Sequence, residues 1–214
     1  MISGVKKQAD IRGWLPGAAV RGMAGVLLVL ATLPASALEL PSLMALLATQ
    51  RSGEASFTEQ RWVRGLDAPL ASSGRLSYEA PDRLVRRTLE PRPETMAIDG
   101  NRVTLTRSGR SRSFSLDAAP ELVGLVEAMR ATLTGNEAVL QRYFETRVDG
   151  TAGQWLLVLA PLEPRLAAQL RQIRIAGRQG QLERVEMYMA DGDRSVMTVT
   201  PQRAPAPAPA ASKP

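Results

Sequence analysis

With no histidine, no cysteine and only Lys6, Lys7 and Lys213 as lysines, the chain lacks most of the side chains that enzymes use as bases and nucleophiles. Ser-His and Cys-His pairs, imidazole general bases and the common zinc sites are excluded on that ground. Lys213 stands in a tail of Pro-Ala repeats, so Ser-Lys dyads and Schiff-base lysines go with them. Carboxylates remain. Glu183 and Glu186 could share acid-base work, yet they alternate with apolar residues as a wetted strand face does, and Glu59, Glu79 and Asp82 read as surface positions in the same way. Asp191-Gly192-Asp193 has the residue types of a calcium loop but is too short for an EF-hand, and a hairpin turn accounts for it better. No cofactor and no catalytic residue is expected.

The elements that would position any site begin after a targeting segment. Lys6, Lys7, Arg12 and Arg21 precede an apolar run from Met23 to Leu33, which is shorter than the ~20 residues needed to span a bilayer. Pro34 ends the run and Ala35-Ser36-Ala37 supplies the small residues a signal peptidase requires. Residues 1–37 are therefore expected to be a signal peptide, with the mature chain starting at Leu38, soluble and in the periplasm. Removing that segment halves the net charge of +6. The remaining arginines alternate with acids and apolar residues instead of clustering, so nucleic acid is not an expected partner. The absence of cysteine removes both a lipid-attachment site and any disulfide framework.

Leu40, Leu43, Met44, Leu46 and Leu47 follow helical spacing, with Pro41 where a first turn tolerates it. From residue 54 onward, apolar-polar alternation broken by turn residues about every ten positions predicts strands at 54–64, 72–80, 83–90, 94–99, 102–107 and 111–116. Leu122, Leu125, Val126, Met129 and Leu133 recur at helical spacing and Gly135-Asn136 closes that helix. A second helical stretch carries Val139, Leu140, Tyr143 and Phe144. Strands resume at 145–149, 153–160, 173–178, 181–190 and 194–200, with a short helical piece between Pro164 and Gln172. Residues 203–214 are a Pro/Ala-rich segment that favours an extended conformation and cannot pack. The fold class is mainly β with helices (α+β): one domain over 38–202, a single curled antiparallel sheet forming an incomplete β-barrel, with the helices at 120–144 as its lid.

Several segments carry a family resemblance. Ala55-Ser56-Phe57-Thr58-Glu59-Gln60, Ser73-Gly74-Arg75-Leu76-Ser77-Tyr78 with Pro81, and Ile98-Asp99-Gly100-Asn101 resemble the N-terminal half of the periplasmic outer-membrane lipoprotein carriers, the LolA-like family. Pro81-Asp82-Arg83-Leu84, Leu89-Glu90-Pro91-Arg92-Pro93-Glu94, Gly192-Asp193-Arg194-Ser195 and the helix from Glu121 to Gly135 are similar to its LolA-related branch. The resemblance implies an incomplete barrel with a helical lid over a hydrophobic cavity. It also implies a carrier that takes acylated cargo from an inner-membrane transporter or exporter to an outer-membrane acceptor. One departure is visible: the arginine that the family places before the proline at the start of the third strand, where it bonds the lid, is Ala80 here.

The candidate lipid-binding residues are Phe57, Leu76, Tyr78, Leu84, Met96, Ile98, Val103, Leu105 and Phe114 on the earlier strands. Trp155, Leu157 and Met187 join them on the later strands, and Leu122, Leu125, Met129 and Leu133 on the lid are expected to face the sheet. Acylated lipoprotein or another lipid, polyketide lipids included, is the expected cargo of a monomer. The competing reading is a periplasmic sensor or scaffold that binds another protein with the same half-barrel; it predicts an interior filled by the chain's own side chains.

Overall fold

The computed structural model describes residues 38–202, apart from Ala119 and the side chains of residues 120–122. The expected signal peptide and the Pro/Ala-rich tail lie outside the described residues. Eleven strands form one sheet: β1 (Ser52–Trp62), β2 (Leu70–Glu79), β3 (Arg83–Glu90), β4 (Glu94–Asp99), β5 (Arg102–Arg107), β6 (Arg110–Ser115), β7 (Phe144–Thr151), β8 (Gln154–Pro161), β9 (Leu170–Arg178), β10 (Gln181–Met189) and β11 (Arg194–Gln202). Their order is β6-β5-β4-β3-β2-β1-β11-β10-β9-β8-β7. Every neighbouring pair is antiparallel, and β1 pairs with β11 so that the two meanders fuse at the chain's first and last strands. The two outer strands, β6 and β7, come from the middle of the sequence and do not pair with each other, so the sheet is an open, incomplete barrel.

The described residues also hold four α-helices, α1 (Leu40–Leu47), α2 (Pro120–Thr134), α3 (Glu137–Tyr143) and α4 (Pro164–Ala167). In α1, Leu43, Met44 and Leu47 are fully buried, the outcome the apolar spacing dictates. α2 ends as its sequence requires. Gly135 adopts φ +68°, and the Asn136 N–H closes back on the Ala131 carbonyl at 2.8 Å; this is the left-handed stop that glycine makes without a Cβ penalty. Asn136 then caps α3, accepting from the Val139 N–H at 3.1 Å. Phe144, expected at the end of that helix, is instead the first residue of β7 and is buried.

Candidate ligand-binding site

The strand register brings the predicted sheet residues together. Across β2, β3, β4, β5 and β6, Tyr78 faces Leu84, Leu84 faces Ile98, Ile98 faces Val103 and Val103 faces Phe114. The adjacent row runs Leu76, Arg86, Met96, Leu105, Arg112 through the same ladders. On the other side, Phe57 faces Val199 and Glu59 faces Met197. From there the register continues through Val185, Ile175 and Leu157, with Met187 opposite Ile173 and Trp155 opposite Gly177. Because side chains directly opposite one another share a face and alternate residues return to it, all twelve predicted sheet residues lie on one face. Phe57, Leu84, Ile98, Val103, Trp155 and Leu157 are buried there.

The helices lie against this face in two clusters. Leu43, Met44, Leu47, Leu140, Phe144 and Leu166 pack with Trp155, Leu157, Leu159, Ile173 and Ile175, and Leu125 and Met187 join them half-buried. Val126 packs with Leu84, Ile98, Val103 and Leu116, joined by Tyr78, Met96, Phe114, Val123 and Leu133. Apolar side chains of the helices thus pack directly on the inward face of the sheet. Two cavities of about 470 and 730 Å³ are lined mainly by residues of the opposite register, such as Leu156, Arg174 and Ala176 in one and Thr58, Gln60 and Trp62 in the other, and so lie mainly on the outer face of the sheet.

One lid residue departs from expectation. Met129 does not face the sheet but is 36 % exposed, while Ala128, Ala131 and Thr132 are buried. Small residues let α2 approach its helical neighbours closely: a Cβ on Gly124 would come within 2.6 Å of Leu166 Cδ2, and one on Gly135 within 2.7 Å of Ala48 Cβ. α2 therefore packs on two sides: Val123, Val126 and Leu133 against the sheet, and the small residues Gly124, Ala128, Ala131 and Gly135 on the side that meets α1 and α4. The side chain of Leu122 lies outside the described residues.

Two polar features were not visible as such in the sequence. Glu59, expected at the surface, is buried at 8 % exposure, because it shares the inward register with Phe57. It accepts from Arg86 Nη2 at 2.5 Å, from Ser72 Oγ at 3.3 Å and from Ser195 Oγ. Arg86 also lies over the Phe57 ring, 4.8 Å from its centroid. The signal was available: Arg86 alternates with Leu84 on a strand whose inward face is apolar. The second feature is Arg130, on the same side of α2 as Val126 and Leu133. It donates to the Gly100 carbonyl and, at 3.4 Å, to the Asp82 carbonyl, and pairs with Glu127 at 3.0 Å. α2 is therefore tied to the β2–β3 and β4–β5 turns by an arginine of its own, on the helix side of the junction where the sheet carries Ala80. Arg83 pairs with exposed Glu79 at 3.4 Å.

Glu183 and Glu186, the pair considered for acid-base work, have structural partners. Glu183 pairs with Arg178 at 3.4 Å. Burial would raise the Glu186 carboxyl, but hydrogen bonds from Tyr188 and Arg184 and the charges of Arg184 and Arg174 outweigh it and hold the group below its usual range. Asp191-Gly192-Asp193 forms the β10–β11 turn: Gly192 has φ +98° and Asp191 accepts from the Asp193 N–H at 3.0 Å.

Residues 32–212 match the outer membrane lipoprotein carrier protein LolA-like family. The chain belongs to that family. No curated protein sequence matches this member. Among solved structures it is similar to a LolA superfamily protein from Nitrosomonas europaea, at 10% identity and a TM-score of 0.41, over 78% of this chain and 96% of that one. It is also similar to lipoprotein LppX of Mycobacterium tuberculosis, at 9% identity and a TM-score of 0.39, over 78% and 98%. A third is Pseudomonas aeruginosa MucB in its complex with MucA, at 15% identity and a TM-score of 0.39, over 78% of this chain and 58% of that one. No helix among the described residues of this LolA-like protein is long and apolar enough to cross a membrane.

Proposed function

We propose that this LolA-like protein is a periplasmic carrier that shelters the acyl chains of a lipoprotein or another lipid against the inward face of its sheet. It would take them from an inner-membrane transporter or exporter and pass them to an outer-membrane acceptor. The observation that carries this reading is the register: one continuous inward face bears all twelve predicted sheet side chains, from Phe57 to Met187, beneath a helix tied to the sheet's turns by one arginine. Membership of the carrier family supports it. Burying a CH₂ group is worth about 0.8 kcal/mol, so a sheltered long acyl chain contributes on the order of 10 kcal/mol before the costs of ordering it and displacing what covers the face. In the closed form described here α2 occupies the place of the cargo, and binding then consists of exchanging α2 for acyl chain.

The direct packing of the helices on the inward face favours a second reading, a scaffold that binds a protein partner and never opens. Mass spectrometry of lipid extracted from the protein purified from its own periplasm separates the two. The carrier reading expects a stoichiometric acylated species and saturable binding of a fluorescent acyl probe. Protein free of lipid that also ignores the probe would leave the scaffold standing.

A further inference from the structure

The outer face of the sheet holds a cation that the fold positions but does not neutralise. Arg194 projects outward from β11, in register with Trp62 of β1 on one side and Tyr188 of β10 on the other. Its guanidinium lies over both rings, 4.6 Å from the Trp62 centroid and 5.8 Å from that of Tyr188. Stacking on aromatic faces fixes a guanidinium plane without consuming its N–H donors. Arg86, Arg130 and Arg194 each have a buried Nε without an acceptor. Arg86 and Arg130 have a carboxylate partner all the same, in Glu59 and Glu127. Among the described residues Arg194 has no carboxylate partner. Its Nη groups are not buried and have no protein acceptor there either, so they remain available to a ligand.

Arg194 and Trp62 line the larger outer cavity, of about 730 Å³, a volume that suits a small polar molecule. We infer that this cavity binds a phosphate ester as its monoanion, with Arg194 as the anchor, at a site separate from the inward face. Charge selects a monoanion. Arg184 also lines the cavity, but Glu186 takes up its charge at 2.7 Å, which leaves Arg194 as the uncompensated cation. Two carboxylates reach the same cavity. Glu59 is engaged by Arg86, Ser72 and Ser195. Glu90 belongs to β3, three strands from β11, about 14 Å of sheet and beyond the ~8 Å over which exposed charges act at physiological salt. The donors select phosphate. A guanidinium fork engages two oxygens side by side, which is all that a carboxylate offers. Thr58, Ser73 and Thr198 stand in one row of the ladder along the cavity, and their hydroxyls serve the further oxygens of a phosphodiester. The ester is either soluble or the headgroup of a phospholipid. Exposed Leu66 and Leu70, in and just after the β1–β2 loop, favour the headgroup, since a bilayer receives such side chains beside an interfacial Trp and Arg.

The test uses the intact mature protein. Titration of the 15N-labelled wild type with glycerophosphoglycerol, a soluble phosphodiester, should shift the Trp62 indole and Arg194 Nε–H signals. The Trp155 indole, buried and bonded to the Gln179 carbonyl, should stay in place. Sedimentation with vesicles of phosphatidylcholine, alone or mixed with phosphatidylglycerol, tests the lipid source. A saturable response to the soluble diester shows that the free ester suffices, and retention by the mixed vesicles alone assigns the site to the lipid headgroup. Arg194→Gln should weaken whichever probe binds by about tenfold, or about 1.4 kcal/mol. Arg194→Lys, which keeps the charge but loses the fork, should weaken it nearly as much. Arg87→Gln removes the same charge from the same face outside the cavity and should bind as the wild type does. Equal losses in Arg194→Gln and Arg87→Gln would reduce the site to diffuse surface charge and overturn it. No response to the diester or the mixed vesicles, a Trp155 shift as large as that of Trp62, or tighter binding of acetate than of the diester would do the same. These last three are read on the wild-type protein and hold even where Arg194→Gln fails to fold, and none of them bears on acyl binding at the inward face.

Discussion

At the scale of single residues, the inward face is not the uniform apolar surface that acyl binding alone would select. Glu59 and Arg86 form an ion pair there at 2.5 Å, with Ser72 and Ser195 completing the carboxylate's hydrogen bonds. Removing two charges from water is costly, and such a pair holds only when its remaining bonds are satisfied. Breaking it should therefore cost far more than the pair is worth. Arg86→Met leaves a buried, uncompensated Glu59 and is expected to destabilise the fold by about 3–5 kcal/mol. Adding Glu59→Gln to that variant should return a large part of the loss, since an amide tolerates the site without a charge. Urea unfolding of the wild type, single and double variants would show this, and a single-variant loss below about 1 kcal/mol would mean that water reaches Glu59 freely. The pair was legible in the sequence only in part. Alternation predicted which strand positions face inward but assigned Glu59 to the surface by its chemistry, when its register with Phe57 required the opposite.

At the scale of elements, strand placement could be read because turns announce themselves. Pro81-Asp82, Asp99-Gly100-Asn101 and Ser108-Gly109 each separate two observed strands, and period-2 alternation then fixes the face. Helix orientation was harder to read. Large apolar residues at helical spacing pointed to a lid face on which Val126 and Leu133 do pack while Met129 is exposed, and they gave no sign of a second buried side made of Gly124, Ala128, Ala131 and Thr132. Small residues give little periodic signal, but they are what permits α2 to approach α1 and α4 closely. Gly135 shows how tight this is: it needs φ +68°, and a Cβ there would lie 2.2 Å from the Met44 carbonyl oxygen. Gly135→Ala combines a left-handed backbone with a collision against main chain, so it should cost more than the ~1 kcal/mol of a simple left-handed alanine. Gly109, with φ +75° and nothing within reach of a Cβ, isolates the backbone component; Gly109→Ala should cost clearly less. Equal losses in thermal denaturation would show that α1 and α2 yield to one another easily.

At the scale of the whole molecule, two kinds of cohesion are joined. The sheet is held by an unbroken antiparallel ladder from β6 to β7 in which the first and last strands pair at the centre. Among the described residues, no backbone bond joins α2 to that ladder; it is held by side-chain packing and by the Arg130 donors on the β2–β3 and β4–β5 turns. Free energies of local opening follow such differences, with elements fixed by fewer bonds opening before the core. The protein should accordingly open in two stages, α2 first and the sheet only on global unfolding. Native-state hydrogen exchange is the direct measurement: α2 amides are expected to exchange through a sub-global opening while those of β1, β2 and β11 exchange only with global unfolding. Charge-assisted hydrogen bonds are worth about 1.5–3 kcal/mol. Arg130→Gln should therefore speed α2 exchange by roughly 10- to 100-fold and leave the β1 and β11 amides nearly unchanged, after allowing for the lower global stability. Acyl probe binding should shift the same helix and spare the same strands. If α2 exchanges only in step with the sheet, in the wild type and the variant alike, then the helix is part of the core and the inward face never becomes available to cargo.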